Sequence, residues 1–217
     1  QVITSAIASS IARLLLQLPA ARLGTDHEGV HQARVAARRL RSDLKTFEPL
    51  LDSAWCADVQ TQLRRLIDEL GAVRDNDVLR SKLRDLIARH PEIDNESARS
   101  VFRQIQMERR RARRRLLRYL DDDLATDLLN QLVAASADPV TVKRAGRPAR
   151  EVLPRLVRKR WKRLDSAIEA FGRRPTAAEL HEVRILAKRL RYATEAVAPA
   201  AGKQARKFAK DASIIQD

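Results

Sequence analysis

Two stretches of this chain carry the same pattern of basic residues around a histidine, about 150 positions apart. Residues 31–41 read His-Gln-Ala-Arg-Val-Ala-Ala-Arg-Arg-Leu-Arg, and residues 181–191 read His-Glu-Val-Arg-Ile-Leu-Ala-Lys-Arg-Leu-Arg. Arginine presents a planar fork of donors that binds phosphate oxygens through two hydrogen bonds, and it stays charged at any physiological pH. The repeated pattern therefore predicts one anion-binding site that takes a wall from each copy.

On a helix with about 100° per residue, the basic residues of each copy share one face. This stripe consists of His31, Arg34, Arg38, Arg41 and Lys45 in the first copy and of His181, Arg184, Lys188 and Arg191 in the second. The apolar residues lie on the opposite arc: Ala33, Ala36, Ala37, Leu40, Leu44 and Phe47 in the first copy, and Val183, Leu186, Ala187 and Leu190 in the second. Each motif helix is therefore predicted to have a core face and a separate cationic face.

The spacing of the stripe suits a chain of phosphates. Successive stripe residues are about one helical turn, or about 5.4 Å, apart along the axis. Neighbouring arginines lower the proton affinity of a histidine, and a bound polyanion restores it. His31 and His181 are therefore expected to contact phosphate either as cations or as neutral donors.

A plainer interpretation is that each stripe is a solvated face. Solubility needs only charge, whereas both copies also retain a histidine at the same place, which favours ligand binding. A structural role for His31 and His181, as a hydrogen bond between the two halves of the chain, stays open and is compatible with ligand binding.

Two further basic runs are candidates for ligand contact. Residues 99–118 contain nine arginines and one acid, and residues 143–163 contain ten basic residues and one acid. Like charges at this density repel one another unless an anion is bound, which argues against a purely structural role. The candidates are Arg110, Arg114 and Arg118 in the first run and Arg155, Arg158 and Lys159 in the second.

The elements that must position these residues are predicted to be helices throughout. Six glycines and eight prolines in 217 residues, with abundant Ala, Leu, Arg and Glu, favour helix, and no strand is predicted. The expected helices cover residues 2–18, 27–47, 54–70, 75–89, 96–120, 121–135, 149–171 and 176–197, with a last one from residue 203. Pro19 and Gly71 are expected to end the first and third helices, residues 199–202 to form a break, and Thr176 with Glu179 to form a capping box.

The clearest break lies at residues 137–148, which contain two prolines and a glycine. It predicts a first helical bundle over residues 1–136 and a second over residues 149–217. The second half repeats the order of the first but stops before any counterpart of residues 70–77. We therefore expect the second bundle to be truncated or disordered at its C-terminal end.

The net charge of the chain limits the classes of partner that it is expected to bind. With 43 Lys and Arg against 28 Asp and Glu, the net charge is +15, which predicts a polyanionic partner: nucleic acid, an anionic membrane or polymeric phosphate. Charge alone does not choose among these three. The single cysteine, Cys56, excludes an internal disulfide and fits a reducing, cytoplasmic compartment. No run of 18 apolar residues occurs, so no transmembrane segment is predicted, and a membrane is not among the expected partners.

The two motifs, together with the segment Leu-Gly-Ala-Val-Arg-Asp-Asn-Asp at residues 70–77, resemble those of the CHAD domain, the conserved histidine α-helical domain. The resemblance covers nearly the whole chain. It implies an all-α fold of two antiparallel four-helix bundles, related by a pseudo-twofold axis, with a basic cavity between them that binds inorganic polyphosphate. It also implies an N-terminal CYTH triphosphatase domain in the full-length protein, which would explain a chain that starts without Met, and an association with polyphosphate granules.

By that resemblance, residues of both motifs line the cavity. They are His31, Arg34, Arg38, Arg39 and Arg41 in the first copy, and His181, Arg184, Lys188, Arg189 and Arg191 in the second. The predicted function is a non-catalytic binding module for polyphosphate, without cofactor or metal.

Two other functions compete with this one. The charge excess would also attract nucleic acid without regard to sequence, although the few aromatic residues argue against stacking on single strands. A phosphohydrolase is the third hypothesis, and it is disfavoured because the cationic faces contain almost no carboxylates to hold a metal ion. Asp75 and Asp77 are expected to begin a helix and to pair with nearby arginines instead.

Overall fold

The computed structural model describes residues 2–24, 27–90, 95–172 and 174–216. Over these residues the chain is built of α-helices joined by short connections, and no strand is formed. The helices are α1 (Val2–Leu23), α2 (His27–Phe47), α3 (Ser53–Arg89), α4 (Asn95–Leu120), α5 (Asp123–Ala137), α6 (Ala149–Glu169) and α7 (Ala177–Gln216). The predicted all-α class is confirmed, and α2 has the predicted bounds.

Helix α1 passes through Pro19, so the prediction that this proline ends the helix is wrong. Proline removes one backbone hydrogen bond. Leu18 and Ala21 on either side of it are buried, and their packing stabilises the helical conformation through Pro19. The helix ends instead at Gly24, whose φ of 66° lies in the left-handed region and whose N–H donates to the Ala20 carbonyl at 3.0 Å.

Helix α3 is one continuous element of 37 residues, so the predicted stop at Gly71 and the separate helix at residues 75–89 are wrong. Gly71 is buried inside the helix, between the buried Leu70 and Val73. Glycine costs a helix interior about 1 kcal/mol relative to alanine. Burial of the neighbouring apolar side chains outweighs this cost.

Helix α7 contains the second motif and continues through Pro199. The break predicted over residues 199–202 is confined to Gly202, with φ 76° and ψ −156°. The capping box at its start is confirmed: the Thr176 N–H and hydroxyl both donate to the Glu179 carboxylate at 2.7 Å, and the Glu179 N–H donates to the Thr176 hydroxyl oxygen at 3.3 Å. The hydrogen bonds from Thr176 lower the pKa of Glu179.

The chain divides into two compact units. Unit 1 comprises residues 1–10, 39–57 and 134–217, and unit 2 comprises residues 11–38 and 58–133. Helices α1 and α2 each contribute to both units. The boundaries between the units therefore differ from the boundary between the duplicated halves of the sequence. The repeat halves, residues 1–136 and 149–217, stay a prediction.

The core of unit 1 lies where α6 packs against α7. Leu164 of α6 is buried with Val183, Ala187, Leu190 and Ala212 of α7. The second half of α2 adds Leu40, Leu44 and Phe47, which are all fully buried. The thiol of Cys56 is fully buried as well and lies 3.9 Å from the Leu44 carbonyl oxygen.

Unit 2 is held together by an apolar core with ion pairs around it. Leu63, Leu66 and Leu70 of α3 are buried, as are Leu116 of α4 and Leu128 of α5. The carboxylate of Asp77 accepts from Arg109 Nε at 2.5 Å, and Glu69 lies 3.6 Å from Arg115 Nε. The expectation that Asp77 pairs with an arginine is thus confirmed, whereas the expectation that it begins a helix is wrong.

Helix α1 is long and apolar enough to cross a membrane by length and composition alone, which no other helix of the described residues is. Its Ile7, Ile11 and Leu14 are fully buried. Only about 28% of its most apolar stretch is buried, and Leu16 is exposed. The absence of a membrane partner stays a prediction.

Candidate functional site: cationic faces of the motif helices

The first motif helix, α2, separates its two faces as the sequence predicts. The predicted core residues are buried, among them Ala33, Leu40 and Phe47. On the stripe, Arg38 and Lys45 are exposed, whereas His31, Arg34 and Arg41 are half-buried. Lys45 lies 2.8 Å from Glu48 in an exposed ion pair, but Arg38 has no ion-pair partner among the described residues.

Arg34 lies over Gly71 of α3, within unit 2. A Cβ atom at Gly71 would be 3.2 Å from Arg34 Nε, which is closer than almost all real contacts of this kind. Arg34 is also 3.7 Å from the exposed carboxylate of Asp75. The segment at residues 70–77 therefore accommodates the motif arginine, because its glycine leaves room for the side chain and its acid lies near the guanidinium.

The second motif lies on the first part of α7. Val183, Ala187 and Leu190 are buried as predicted, and Leu186 is half-buried. On the opposite side, His181, Arg184 and Arg189 are exposed, while Lys188 and Arg191 are half-buried. Neither His181 nor His31 has a hydrogen-bond partner within the described ranges.

Within unit 1, the second half of the first motif helix contacts the second. Arg39 of α2 donates to the Glu195 carboxylate of α7, and its Nε also donates to Asp43 at 3.3 Å. Its guanidinium lies 4.5 Å from the centre of the Tyr192 ring. Burial alone would lower the pKa of Arg39, but Asp43 and Glu195 together raise it. Arg39 is only 14% exposed and its charge is already compensated, which favours a structural role for this candidate residue.

Three motif arginines carry a donor that no described residue satisfies. The Nε atoms of Arg34, Arg41 and Arg191 are buried and have no hydrogen-bond acceptor. Arg41 and Arg191 hold the same position in the two copies of the motif. A buried donor without an acceptor costs about 1–3 kcal/mol, so each of these guanidinium groups is suited to receive an anion.

Helix α4 divides its arginines into two groups. Four of them have partners: Arg109 with Asp77, Arg111 with Glu108, Arg115 with Glu69, and Arg113 with the carbonyl oxygens of Ala21 and Arg22. The predicted candidates Arg110, Arg114 and Arg118 are exposed and have no ion-pair partner among the described residues. They lie four residues apart, so they form one uncompensated row along the helix.

Helix α6 exposes its candidates, Arg155, Arg158 and Lys159. Their neighbour Arg160 is not among the predicted site residues, although it makes a hydrogen bond to another helix. Arg160 is half-buried and donates to the carbonyl oxygen of Lys45, in the last turn of α2, at 2.9 Å. Burial and the nearby charges of Arg163 and Arg189 lower its pKa. The only signal for Arg160 in the sequence is its place in a long basic run.

A groove of about 690 Å³ in unit 1 is lined mostly by apolar residues of α6 and α7, such as Leu153, Trp161 and Phe208. Among the described residues that line it, Arg158 is the one candidate basic residue. This lining suits apolar side chains rather than phosphate. No cluster of three His, Cys, Asp or Glu side chains that could hold a metal ion occurs within the described parts of the chain.

Fold and charged faces together define an all-α domain with two basic helix surfaces. A sequence model of the CHAD domain matches residues 5–217, and the chain therefore belongs to the CHAD-domain family. Among curated proteins, the uncharacterized proteins Rv2226 and MT2285 from two strains of Mycobacterium tuberculosis are 32% and 31% identical to it over 227 residues. These matches cover 97% of this chain but only 41% of each relative.

Two solved structures are similar in fold. PptA from Streptomyces chartreusis has a TM-score of 0.76 at 21% identity, with 98% of this chain and 83% of that one covered. The CHAD domain from the plant Ricinus communis has a TM-score of 0.67 at 25% identity, with 99% and 71% covered. The predicted membership in the family is thus confirmed.

Proposed function

We propose that this chain is a non-catalytic module that binds inorganic polyphosphate through the cationic faces of α2 and α7. The observation that carries the proposal is the set of three motif arginines, Arg34, Arg41 and Arg191, whose buried Nε donors have no acceptor. Two of them hold equivalent positions in the two copies of the motif. Phosphate oxygens are strong acceptors for a guanidinium group, so a bound phosphate would supply what each of these donors lacks.

The net charge supports a polymer rather than a single phosphate as the ligand. The chain carries a net charge of +15, and the exposed stripe residues Arg38 and Arg184 have no acidic partner among the described residues. A ligand with many regularly spaced charges neutralises several such cations at once, and it gains entropy from the release of its counterions. Polyphosphate has one negative charge per repeat, without bases or sugars that would need pockets.

The first experiment is a competition between polyphosphate and DNA. The purified chain should bind long-chain polyphosphate at least roughly tenfold more tightly than duplex DNA of equal phosphate concentration, at about 0.15 M salt, where exposed charges are well screened. The double substitution Arg38→Glu with Lys188→Glu should abolish binding. Fluorescence anisotropy with labelled polyphosphate measures both.

A matched control keeps the charge change and moves it elsewhere. Lys82 and Arg84 of α3 are exposed and lie outside both motifs, so Lys82→Glu with Arg84→Glu makes the same change in net charge. This control should retain most of the affinity. If polyphosphate and DNA bind equally, or if both double variants lose affinity to the same extent, diffuse charge explains binding and the proposal fails.

Nucleic-acid binding without sequence preference is the second candidate, and the row of Arg110, Arg114 and Arg118 favours it. These side chains are exposed, as contacts to a duplex backbone require. The same competition decides between the two candidates.

We propose a cytoplasmic location, with polyphosphate granules as the associated structure. The chain spans 41% of the length of the curated relatives it matches, and we propose that the full-length protein carries a CYTH triphosphatase domain N-terminal to this one.

A further inference from the structure

Three cations surround the ring of Tyr192, in unit 1. The guanidinium carbon of Arg39 lies 4.5 Å from the ring centre, that of Arg191 lies 5.1 Å from it, and the ammonium nitrogen of Lys188 lies 5.7 Å from it. A cation within about 6 Å of a ring centre is attracted by the negative face of the ring. Tyr192 thus contacts two stripe residues of the second motif and one basic residue of the first.

Like charges at this distance repel one another, so the cluster needs compensation. Glu195 provides it in part: its carboxylate accepts from Arg39, and one of its oxygens lies 3.7 Å from Arg191 Nε. Lys188 has no carboxylate partner among the described residues, and the Tyr192 ring is the one partner the structure gives it.

Hydrogen bonds fix Arg39, the cation closest to the ring centre. Arg39 is held by Asp43, which is buried and accepts from the Ser10 hydroxyl at 2.5 Å. Hydrogen bonds therefore connect α1, α2 and α7 through Ser10, Asp43, Arg39 and Glu195. Lys188 and Arg191 have no such chain behind them, so their positions depend on Tyr192 and Glu195.

We propose that Tyr192 is a positioning residue, which holds Lys188 and Arg191 in place for a polyanion by offering both cations the face of its ring. The proposal rests on the proposed function, since it assigns a role within the same polyphosphate site. Preorganised donors bind more tightly because less side-chain entropy is lost when the ligand arrives. Tyr192 itself need not touch phosphate.

The test compares Tyr192→Phe with Tyr192→Leu in the full chain. No described residue hydrogen-bonds to the Tyr192 hydroxyl, so phenylalanine keeps the ring and loses little else, whereas leucine removes the ring. Polyphosphate affinity is measured at four salt concentrations. We expect Tyr192→Phe to bind within about twofold of wild type, and Tyr192→Leu to bind roughly tenfold more weakly with a salt slope reduced by about one to two, as lost phosphate contacts require.

The salt slope separates positioning from stability. A variant that is merely less stable but still folded keeps the wild-type slope, and circular dichroism at the assay temperature shows whether it is folded. Tyr192→Met, whose flexible side chain adapts to the space left by the ring, replaces Tyr192→Leu if the latter does not fold. If the ring-lacking variant binds with wild-type affinity and slope, or if Tyr192→Phe is weakened as much as Tyr192→Leu, the positioning role is wrong.

A second measurement needs no ligand. In the wild type and in Tyr192→Phe, the side-chain NMR signals of Arg39 and Arg191 should be shifted upfield by the ring, and in Tyr192→Leu the shift should be absent. The two proposals fail differently. A wild-type chain that does not bind polyphosphate overturns both, whereas a wild-type chain that binds, with a leucine variant that binds equally well, overturns only the role of Tyr192.

Discussion

Substitution of Gly71 is expected to have opposite effects on stability and on ligand affinity, because Arg34 lies against it. Gly71 lies inside α3, and a Cβ atom there would crowd Arg34 Nε at 3.2 Å. We expect Gly71→Ala to raise the free energy of unfolding by up to about 1 kcal/mol, because alanine is the better helix former. We also expect it to weaken polyphosphate binding several-fold, because Arg34 must move by a few tenths of an ångström. Urea unfolding and binding isotherms measure the two effects separately.

A double-mutant cycle checks the cause. In a chain that already carries Arg34→Gln, the substitution Gly71→Ala should no longer change polyphosphate affinity, while its effect on stability should persist. An equal loss of affinity with and without Arg34 would contradict the assigned role of Gly71.

At the scale of the element, the C-terminus of α1 depends on a single glycine. Gly24 has a φ of 66°, and the guanidinium of Arg113 binds the carbonyl oxygens of Ala21 and Arg22 so closely that a Cβ atom at Gly24 would overlap it. The left-handed conformation costs a residue with a side chain about 1–2 kcal/mol. We therefore expect Gly24→Ala to lower the free energy of unfolding by at least that amount, as measured by urea denaturation.

Gly146 provides the matched control for this substitution. A Cβ atom there would meet nothing within 4 Å, and its φ is not positive. Gly146→Ala should change the free energy of unfolding by less than about 0.5 kcal/mol, as surface substitutions usually do. Equal effects of the two substitutions would contradict the requirement for glycine at position 24.

At the scale of the whole molecule, we expect the uncompensated charges to set the salt dependence of binding. The logarithm of the polyphosphate association constant should fall linearly with the logarithm of the salt concentration. Replacement of Arg110 and Arg114 by glutamine should reduce the slope by roughly one to two, because fewer counterions are released on binding when these contacts are lost. Replacement of Arg111 and Arg115, which already pair with Glu108 and Glu69, should leave the slope nearly unchanged.

The comparison of these two variants is decisive because both remove two positive charges from one helix. Equal reductions of the slope would show that net charge alone matters. No reduction in either variant would place α4 outside the binding surface.

The periodic features of the fold could be predicted from the sequence, and the interrupted ones could not. The bounds of α2, its core face and the capping box at residue 176 follow from local patterns. Pro19 and Gly71 were expected to end helices because their intrinsic cost is high, yet both lie within helices. Burial of their neighbours outweighs that cost, and burial depends on residues far away in the chain.

The site shows the same division between local and distant information. The stripe positions follow from the helical period, but the partners of Arg39 do not, since Glu195 lies 156 residues further along the chain. Tyr192 directly follows the second motif, and the helical period of the motif gives no sign of its role. Its contacts with Arg39, Lys188 and Arg191 arise only when the two motif helices meet in unit 1.

The single sulfhydryl of the chain, Cys56, can report how often the structure around it opens. Since Cys56 is completely shielded within unit 1, an alkylating reagent reaches the sulfur only during a transient opening of the surrounding structure. The rate of modification therefore counts such openings directly, without an added label, and it does so in the same sample in which ligand affinity is measured.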